Sequence, residues 1–279
     1  SQREDGGAAV MSDGQRVLLS AEEGGDEACL MARSLPGIPV LVGRKRSLGG
    51  RLAVERFGTQ VLILDDGFQH WQLYRDLDIV LVDGTNPFGN GHVLPRGILR
   101  EPMEQLGRAD AFIITKGDQI TQDRAEAIAA KLRQYNPAAP VAMAIHKPSS
   151  CLAFAAWHDG KGHGSGALQP DGQSVLAVSA LGNPASFERT LADAGFTVAG
   201  SLRYEDHHHY SRDDIRHMAA RAAETGCLLV TTEKDAVKLP APLIKEYDLP
   251  LYVLSITIEF TAGQDQIDTI LQAVLEDKL

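Results

Sequence analysis

The sequence is poor in cysteine, in basic residues and in long apolar runs, and each shortage excludes a class of protein. Its three cysteines, Cys29, Cys151 and Cys227, lie far apart, which predicts reduced, buried thiols of a cytosolic protein rather than a disulfide framework or a CxxC metal site. No run approaches the ~18 apolar residues of a membrane-spanning helix, so we expect the chain not to cross a bilayer by itself. With 27 Lys and Arg against 37 Asp and Glu, the net charge is −10, which argues against a general nucleic-acid binder.

What remains is an ordinary globular composition, with 44% hydrophobic and 23% charged residues in a chain of 279. This length can bury one large or two modest hydrophobic cores. Short β-branched runs alternate with longer amphipathic stretches, which predicts an α/β fold with a mostly parallel sheet. We expect a core α/β domain at residues 1–150, a linker at 151–172 that includes a glycine-dense stretch at 158–166, and a smaller α/β lobe at 173–279.

The same patterns predict individual elements. The expected strands are a hairpin from 8–11 and 16–20, then 38–42, 61–64, 78–82, 111–115, 175–179, 196–200, 228–231 and 251–256. The expected helices are 26–34, 48–56, 121–134, 183–194, 213–224 and 265–276.

The strongest local motif is four apolar residues followed by two acids, at 61–66. It predicts a buried strand whose carboxyl end presents Asp65 and Asp66 to the crevice where α/β proteins bind ligands. In P-loop hydrolases and kinases this is the Walker B arrangement, in which an Asp holds Mg²⁺. The alternative is an ordinary strand end, because a similar pattern ends at Asp83.

Two glycines precede Asp26 and Glu27 at the start of the predicted helix 26–34. Acids in the first turn interact favourably with the helix dipole, so a capping role is one interpretation. The other is a general base, or a carboxylate near a metal, held on a glycine turn.

Three consecutive histidines, His207, His208 and His209, follow an acidic pair. Consecutive residues cannot all face one metal from a helix or a strand, so a tight His₃ zinc site is not expected. The remaining alternatives are a solvent-exposed loop and a single imidazole paired with a carboxylate as an acid/base dyad.

Arginines occur in two further segments, at 43–46 directly after a predicted strand and at 94–102 among turn residues. A guanidinium fork suits phosphate recognition. The alternative is an ordinary surface role, in which Arg46 solvates a strand end and Arg100 pairs with Glu101.

In their shared order and spacing, these motifs resemble the tetraacyldisaccharide 4′-kinase family, the lipid A 4′-kinases of Gram-negative bacteria, across nearly the whole chain. The matching segments are Gly25-Asp26-Glu27, Pro39-Val40-Leu41-Val42-Gly43-Arg44, Leu64-Asp65-Asp66-Gly67-Phe68-Gln69-His70, Arg75-Asp76-Leu77-Asp78-Ile79, Phe88-Gly89-Asn90-Gly91, Leu99-Arg100-Glu101-Pro102, Gly182-Asn183-Pro184, Asp206-His207-His208 and Thr232-Glu233-Lys234-Asp235.

The resemblance implies a P-loop-NTPase-like, mostly parallel sheet with a second, smaller α/β lobe. It implies transfer of the γ-phosphate of ATP to the 4′-hydroxyl of a tetraacyl glucosamine disaccharide 1-phosphate in lipid A biosynthesis. Mg²⁺ is the implied cofactor, and the lipid A disaccharide precursor is the implied substrate. The implied location is the cytoplasmic face of the bacterial inner membrane, with peripheral membrane contact and no nucleic-acid partner.

The resemblance also implies roles for particular residues. Asp26 is the implied catalytic base, oriented by His207, with His208 as the second candidate. The residues implied near Mg²⁺ are Asp65, Asp66 and Glu27. Those implied to contact the nucleotide or the disaccharide are Arg46, Gln69, His70, Arg100 and Glu101.

One part of the family pattern does not occur in these 279 residues. The phosphate-cradling pattern G-x-x-x-x-G-K-[ST] is absent, and the only Gly-Lys pair, Gly160-Lys161, is followed by Gly162. The P-loop and a membrane-contacting N-terminal helix are expected upstream of Ser1, so we expect the chain by itself to be inactive, because the loop supplies donors to the transferring phosphoryl group. Two alternative functions are a non-catalytic remnant that binds a sugar lipid or a partner, and a metal-dependent hydrolase.

Overall fold

The structure, a computed structural model, describes residues 7–160 and 167–278, with the backbone alone for 277 and 278. Most of the glycine-dense stretch at 158–166 therefore lies outside the described residues. The chain divides into two compact units. Unit 1 comprises Ser1–Thr59 and Pro148–Ile256, and unit 2 comprises Gln60–Lys147 and Thr257–Leu279.

The described residues form nine strands, ten α-helices and two short 3₁₀ helices, Met103–Arg108 and Gly117–Gln119. The strands are β1 (Ala8–Asp13), β2 (Pro39–Gly43), β3 (Ile79–Asp83), β4 (Ala111–Thr115), β5 (Val141–Ala153), β6 (Ser174–Ser179), β7 (Thr197–Arg203), β8 (Leu228–Thr232) and β9 (Leu251–Ala262). The helices are α1 (Ala21–Gly24), α2 (Asp26–Ser34), α3 (Arg46–Phe57), α4 (Gln122–Tyr135), α5 (Phe154–His158), α6 (Pro184–Asp193), α7 (Arg212–Thr225), α8 (Glu233–Ala236), α9 (Ala241–Glu246) and α10 (Gln264–Lys278). In the described part of the chain, no helix combines the length and the apolarity that crossing a membrane requires.

The units do not follow the expected sequential boundaries at 150 and 172. β5 and β9 are each long enough to contribute residues to both units, whereas the periodicity had predicted only 251–256 for the latter and no strand for the former. Each unit is therefore assembled from two separate stretches of chain.

Unit 1 contains parallel strands in the order β9-β8-β6-β7. Val178 of β6 shares a buried cluster with Ile215 of α7, and Val175 shares another with Leu191 of α6. Because side chains alternate across a strand, helices cover both faces of this sheet. The carboxyl ends of the strands remain available for connecting loops.

Unit 2 contains parallel strands in the order β3-β4-β5. Phe112 of β4 lies in a buried cluster with Leu132 of α4, and the next residue, Ile113, lies in one with Ile267 of α10. The same alternation thus places one helix on each face. The mostly parallel α/β class predicted from the sequence is confirmed in both units.

The predicted buried strand at 61–64 is wrong. These residues have no regular secondary structure, and the side chain of Ile63 is 94% exposed. A strand needs a neighbour for its backbone hydrogen bonds, and among the described strands β3 pairs only with β4. An apolar run favours a buried strand, but the strand forms only where a partner strand is available.

The predicted hairpin from 8–11 and 16–20 is also largely wrong. β1 pairs antiparallel with β2, and the second arm makes only a single bridge, between Ser12 and Val17. Ser20 caps α1 in a reciprocal capping box with Glu23, which ends the extended backbone before a second strand can form.

Candidate functional site

Asp26 is the first residue of α2 in unit 1, directly after Gly25. Gly25 has φ 96° and ψ 151°, a backbone conformation that is essentially restricted to glycine. Glycine has no side chain that could accept a hydrogen bond from the first turn of the helix. Asp26 and Glu27 are the two acids in that turn. A carboxylate is favoured there by the helix dipole, which makes the capping and the functional interpretations compatible.

His207 lies beside Asp26. Its Nδ1 is 3.5 Å from Oδ2 of Asp26, whose side chain is 15% exposed, while the imidazole is 62% exposed. His207 has φ 60°, in the left-handed region, and its N–H donates to Oδ1 of Asp206 at 3.1 Å. The structure thus brings a shielded carboxylate against an accessible imidazole, as an acid/base pair requires.

His208 makes a different set of contacts. Its Nε2 is 3.0 Å from Oδ2 of Asp214 in α7, and its ring stacks on Tyr204 with a centroid distance of 4.9 Å. Burial raises the pKa of the Asp214 carboxyl, but hydrogen bonds from Ser211 and His208 outweigh this and hold the pKa below its usual range. Of the two candidate histidines, His207 is therefore the one in contact with Asp26.

Further motif residues surround this pair within unit 1. Oε1 of Glu27 is 3.4 Å from Nζ of Lys234 in α8. Gly182 lies beside Asp206, close enough that a methyl side chain at position 182 would be 3.5 Å from Oδ2 of Asp206. Gly182, Asp206 and Lys234 follow the carboxyl ends of β6, β7 and β8, in that order. The carboxyl ends of parallel strands are where open α/β sheets bind ligands.

In unit 2, Asp66 and Arg100 form an ion pair. Nη1 of Arg100 lies 2.8 and 2.7 Å from the two carboxylate oxygens of Asp66. Both side chains are more than half exposed, and exposed pairs are worth about 0–1 kcal/mol. The pair can therefore open at little cost to meet a ligand.

Glu101 is the centre of a second cluster in unit 2. It accepts hydrogen bonds from Nε1 of Trp71 at 2.7 Å, from Nη2 of Arg108 at 2.9 Å and from Nε2 of Gln69 at 3.5 Å. Burial raises the pKa of Glu101, but the bonds from Arg108 and Trp71 outweigh it, so the pKa lies below its usual range. The guanidinium of Arg108 also lies 3.9 Å from the ring centroid of Trp71. Glu101 is thus held in place by three donors.

The other expected site residues are spread over both units. Asp65 is exposed in the same turn as Asp66. His70 is half-buried, and its backbone carbonyl accepts a hydrogen bond from Nη1 of Arg75 at 2.8 Å. Arg46 begins α3 in unit 1. The structure joins Asp26 to His207 in unit 1, and Asp66 to Arg100 and Gln69 to Glu101 in unit 2. Convergence of the two sets on one nucleotide stays a prediction.

Sequence reasoning missed a polar cluster where β3 and β4 end. Nζ of Lys116 is 2.6 Å from Oδ2 of Asp83, and Oγ1 of Thr85 donates to Oδ1 of Asp83 at 2.6 Å. Burial raises the pKa of Asp83, but the hydrogen bonds from Lys116 and Thr85 hold it below its usual range. The sequence does contain a signal for this cluster, because four apolar residues end at Asp83. In a parallel sheet, the carboxyl end of such a strand lies at the edge where ligands bind.

The described residues contain no group of three or more His, Cys, Asp or Glu side chains arranged to hold a metal. Mg²⁺ commonly binds through one or two carboxylates together with waters and substrate phosphates, without a complete protein cage. Asp65 and Asp66 offer this donor chemistry from one exposed turn. They fit an ion that arrives with a nucleotide.

Comparisons with known proteins agree with these motifs. The family model described as "Tetraacyldisaccharide-1-P 4′-kinase" matches residues 2–276. The tetraacyldisaccharide 4′-kinase of Halothermothrix orenii is 40% identical over 273 residues, covering 95% of this chain and 71% of that protein. That of Anaeromyxobacter dehalogenans (strain 2CP-C) is 43% identical over 266 residues, covering 95% and 68%.

A solved structure shares the fold. The crystal structure of LpxK from Aquifex aeolicus in complex with ATP matches with a TM-score of 0.67 and 26% identity, over 98% of this chain and 76% of that one. Because the family match spans almost the entire sequence and relatives of 40% and 43% identity agree with it, the chain belongs to the tetraacyldisaccharide-1-P 4′-kinase family.

Proposed function

We propose that this chain carries the phosphoryl-transfer chemistry of its family, moving the γ-phosphate of ATP to the 4′-hydroxyl of a tetraacyl disaccharide 1-phosphate. The observation that carries the proposal is the contact between Asp26 and His207. A sugar hydroxyl must lose its proton as it attacks phosphorus, and this pair is built to accept one. The names of the relatives and the ATP complex of the structural neighbour support the same reaction.

Asp26 is the proposed general base. Its carboxylate is mostly shielded from water, so a hydroxyl placed against it would meet little competition from solvent. His207 contacts Oδ2 of Asp26 and orients the carboxylate, and an imidazole there can share the proton that the carboxylate accepts. General base catalysis of this kind contributes about 10²–10⁴ in rate.

The remaining residues are proposed to bind the charged reactants. Mg²⁺, when bound, would neutralise charge on the phosphates, and Asp65, Asp66 and Glu27 are the residues proposed to lie near it. Arg46, Gln69, His70, Arg100 and Glu101 are proposed to contact the nucleotide or the disaccharide. Within unit 2, the hydrogen bonds of Glu101 support this by holding Gln69 and Glu101 together, and the ion pair with Asp66 keeps Arg100 on an exposed surface where a ligand can reach it.

Two further parts of the proposal concern the setting of the reaction. An acylated substrate resides in a membrane, so we propose peripheral action at the cytoplasmic face of the bacterial inner membrane. A transferring phosphoryl group also needs several positioned donors, and the phosphate-cradling pattern does not occur in the 279 residues. We therefore propose that turnover requires such a loop in addition to these residues.

The test compares two proteins, the 279-residue chain and the complete product of the gene that encodes it. Each is incubated with Mg-ATP labelled in the γ-phosphate and a tetraacyl disaccharide 1-phosphate in detergent. We expect labelled lipid from the complete product and none from the chain alone. A folded complete product that makes no labelled lipid contradicts the kinase proposal and favours a binding remnant. Labelled lipid from the chain alone contradicts the need for a further loop.

A further inference from the structure

We propose that His208 is a positioning residue, which acts with Tyr204 and Asp214 to hold His207 against Asp26. These three residues are called the histidine clamp. The inference rests on the proposed function, since it assigns a purpose to the placement of His207. Every residue involved lies in unit 1.

The backbone at His207 requires an external restraint. Its φ of 60° lies in the left-handed region, which is sterically unfavourable for a residue with a Cβ. Such conformations persist where the surrounding structure over-determines them, and they cluster at functional sites. Local hydrogen bonds provide part of the restraint: His207 N–H donates to Oδ1 of Asp206 at 3.1 Å, and His208 N–H donates to the Glu205 carbonyl at 3.0 Å.

The side chain of His208 provides the rest. Its Nε2 is 3.0 Å from Oδ2 of Asp214, and its ring stacks on Tyr204 and meets the edge of Tyr210 with a centroid distance of 5.3 Å. Asp214 is itself fixed, because the same oxygen accepts hydrogen bonds from the N–H and the hydroxyl of Ser211, each at 2.7 Å, at the start of α7. The residue that follows the strained turn is therefore anchored to a helix.

Both ends of the turn are anchored as well. Tyr204 N–H donates to the carbonyl of Ser179, the last residue of β6, at 2.9 Å. Tyr210 is buried, with Nζ of Lys238 5.6 Å from its ring centroid. With these contacts in place, His207 is the exposed tip of a segment that cannot swing as a whole. Removing the His208 side chain, and with it the contact to Asp214, would release the tip, and His207 would leave Asp26.

This arrangement predicts how substitutions of His207 and His208 combine in their effect on kcat. If His208 acts only through His207, its loss should matter only while His207 is present. A double-mutant cycle measures this directly, because coupled residues give non-additive effects. The variants are His207→Ala, His208→Ala and the double variant in the complete gene product, with His209→Ala, the exposed next residue, as the matched control.

We expect His208→Ala to lower kcat roughly tenfold to a hundredfold, as misplacement of a catalytic group does, with KM for both substrates changed by less than about twofold. Adding His208→Ala to His207→Ala should change kcat by less than about twofold. His209→Ala should keep the wild-type kcat. His208→Gln, which retains a side-chain N–H for Asp214, should recover most of the loss. If His208→Ala does not fold, His208→Leu replaces it, because leucine fills space beside Tyr204 but cannot bond Asp214.

Several results would overturn the clamp. Multiplicative losses in the double variant would show that His208 acts independently of His207. A wild-type kcat in the His208→Ala single variant would show that His208 does not position His207. A His208→Gln variant that folds but is as slow as His208→Ala would contradict the role of the Asp214 contact. A wild-type enzyme without turnover, or a fully active His207→Ala variant, would instead contradict the proposed function itself.

Discussion

Nδ1 of His207 and Oδ2 of Asp26 lie 3.5 Å apart, although one residue is at a strained turn after β7 and the other begins α2 near the start of the chain. Neither residue belongs to a buried hydrophobic cluster of unit 1. Each can therefore be changed without opening a cavity in the core. Their roles in turnover can be measured separately from their roles in folding.

The first prediction concerns Asp26→Asn in the complete gene product. We expect kcat to fall by about 10²–10⁴, because the amide cannot accept the hydroxyl proton, while KM for ATP changes little. Steady-state phosphorylation of the lipid acceptor measures both constants. Glu22→Gln, at an exposed acid of the neighbouring α1, is the control and should behave as wild type. Loss of ATP affinity with unchanged kcat would show that Asp26 is not the base.

The second prediction concerns the buried ion pair of Asp235 and Lys238, whose side chains are 0% and 2% exposed with N and O 2.8 Å apart. Asp235 also accepts hydrogen bonds from Ala180 N–H and Thr232 Oγ1. Asp235→Ala leaves Lys238 buried and unpaired, so we expect unfolding free energy to fall by about 3–5 kcal/mol. Urea titration measures the loss.

The control for that variant is Asp213→Ala, because Asp213 is also ion-paired but its side chain is 81% exposed. It should cost less than about 1 kcal/mol. Equal losses in the two variants would mean that Asp235 is not held in a buried pair.

The third prediction is a pH dependence caused by Glu101. Its pKa is lower in the folded protein than the ordinary value of 4.5, because donors from Arg108 and Trp71 outweigh the effect of burial. Its carboxylate therefore stabilises the fold above the unfolded pKa, and this stabilisation is lost as pH falls through the folded pKa. We expect Glu101→Gln to be about 1–3 kcal/mol less stable than wild type at pH 7, and the gap to close below pH 4.5.

Urea unfolding of both proteins at pH 7 and at successively lower pH measures this gap. Glu104→Gln, an exposed acid in the same segment, should show little difference from wild type at either end of the range. A gap for Glu101→Gln that stays constant down to pH 3 would mean that its charge is not what stabilises the fold.

The fourth prediction concerns the thiols. Cys29, Cys151 and Cys227 are all buried and free, and burial raises the pKa of Cys151 to about 12. Since the thiolate is the reactive form, we expect no thiol to react rapidly with a disulfide reagent at pH 8 in the native protein. All three should react after addition of urea. Rapid labelling of one thiol before unfolding would contradict its burial.

The fifth prediction tests the conformation of residues 61–64 in the 279-residue chain. Ile63 is 94% exposed and Ile114 of β4 is 2% exposed. Ile63→Ala should change unfolding free energy by no more than about 0.5 kcal/mol, whereas Ile114→Ala should cost about 2–5 kcal/mol. Similar costs for both would mean that 61–64 is packed as a core strand.

Local patterns predicted many elements well. α2 at Asp26–Ser34 and β4 at Ala111–Thr115 have the predicted bounds. The start of α2 is indicated by a pair of acids and β4 by a short apolar run, and both signals depend only on residues that are neighbours in the sequence. β5 was missed, since its sequence mixes apolar residues with His146, Lys147 and Pro148, and its strand conformation depends on its neighbours in the sheet.

By itself, the sequence determined the α/β class, the family and which acids, histidines and arginines are candidates for the site, because periodicity and ordered motifs are properties of the chain alone. Only the tertiary structure decided that His207 rather than His208 meets Asp26, that Asp66 pairs with Arg100, and that 61–64 stays exposed. These outcomes depend on backbone strain, on ring packing and on the availability of a partner strand. Each of them is set by residues distant in sequence, which no local pattern contains.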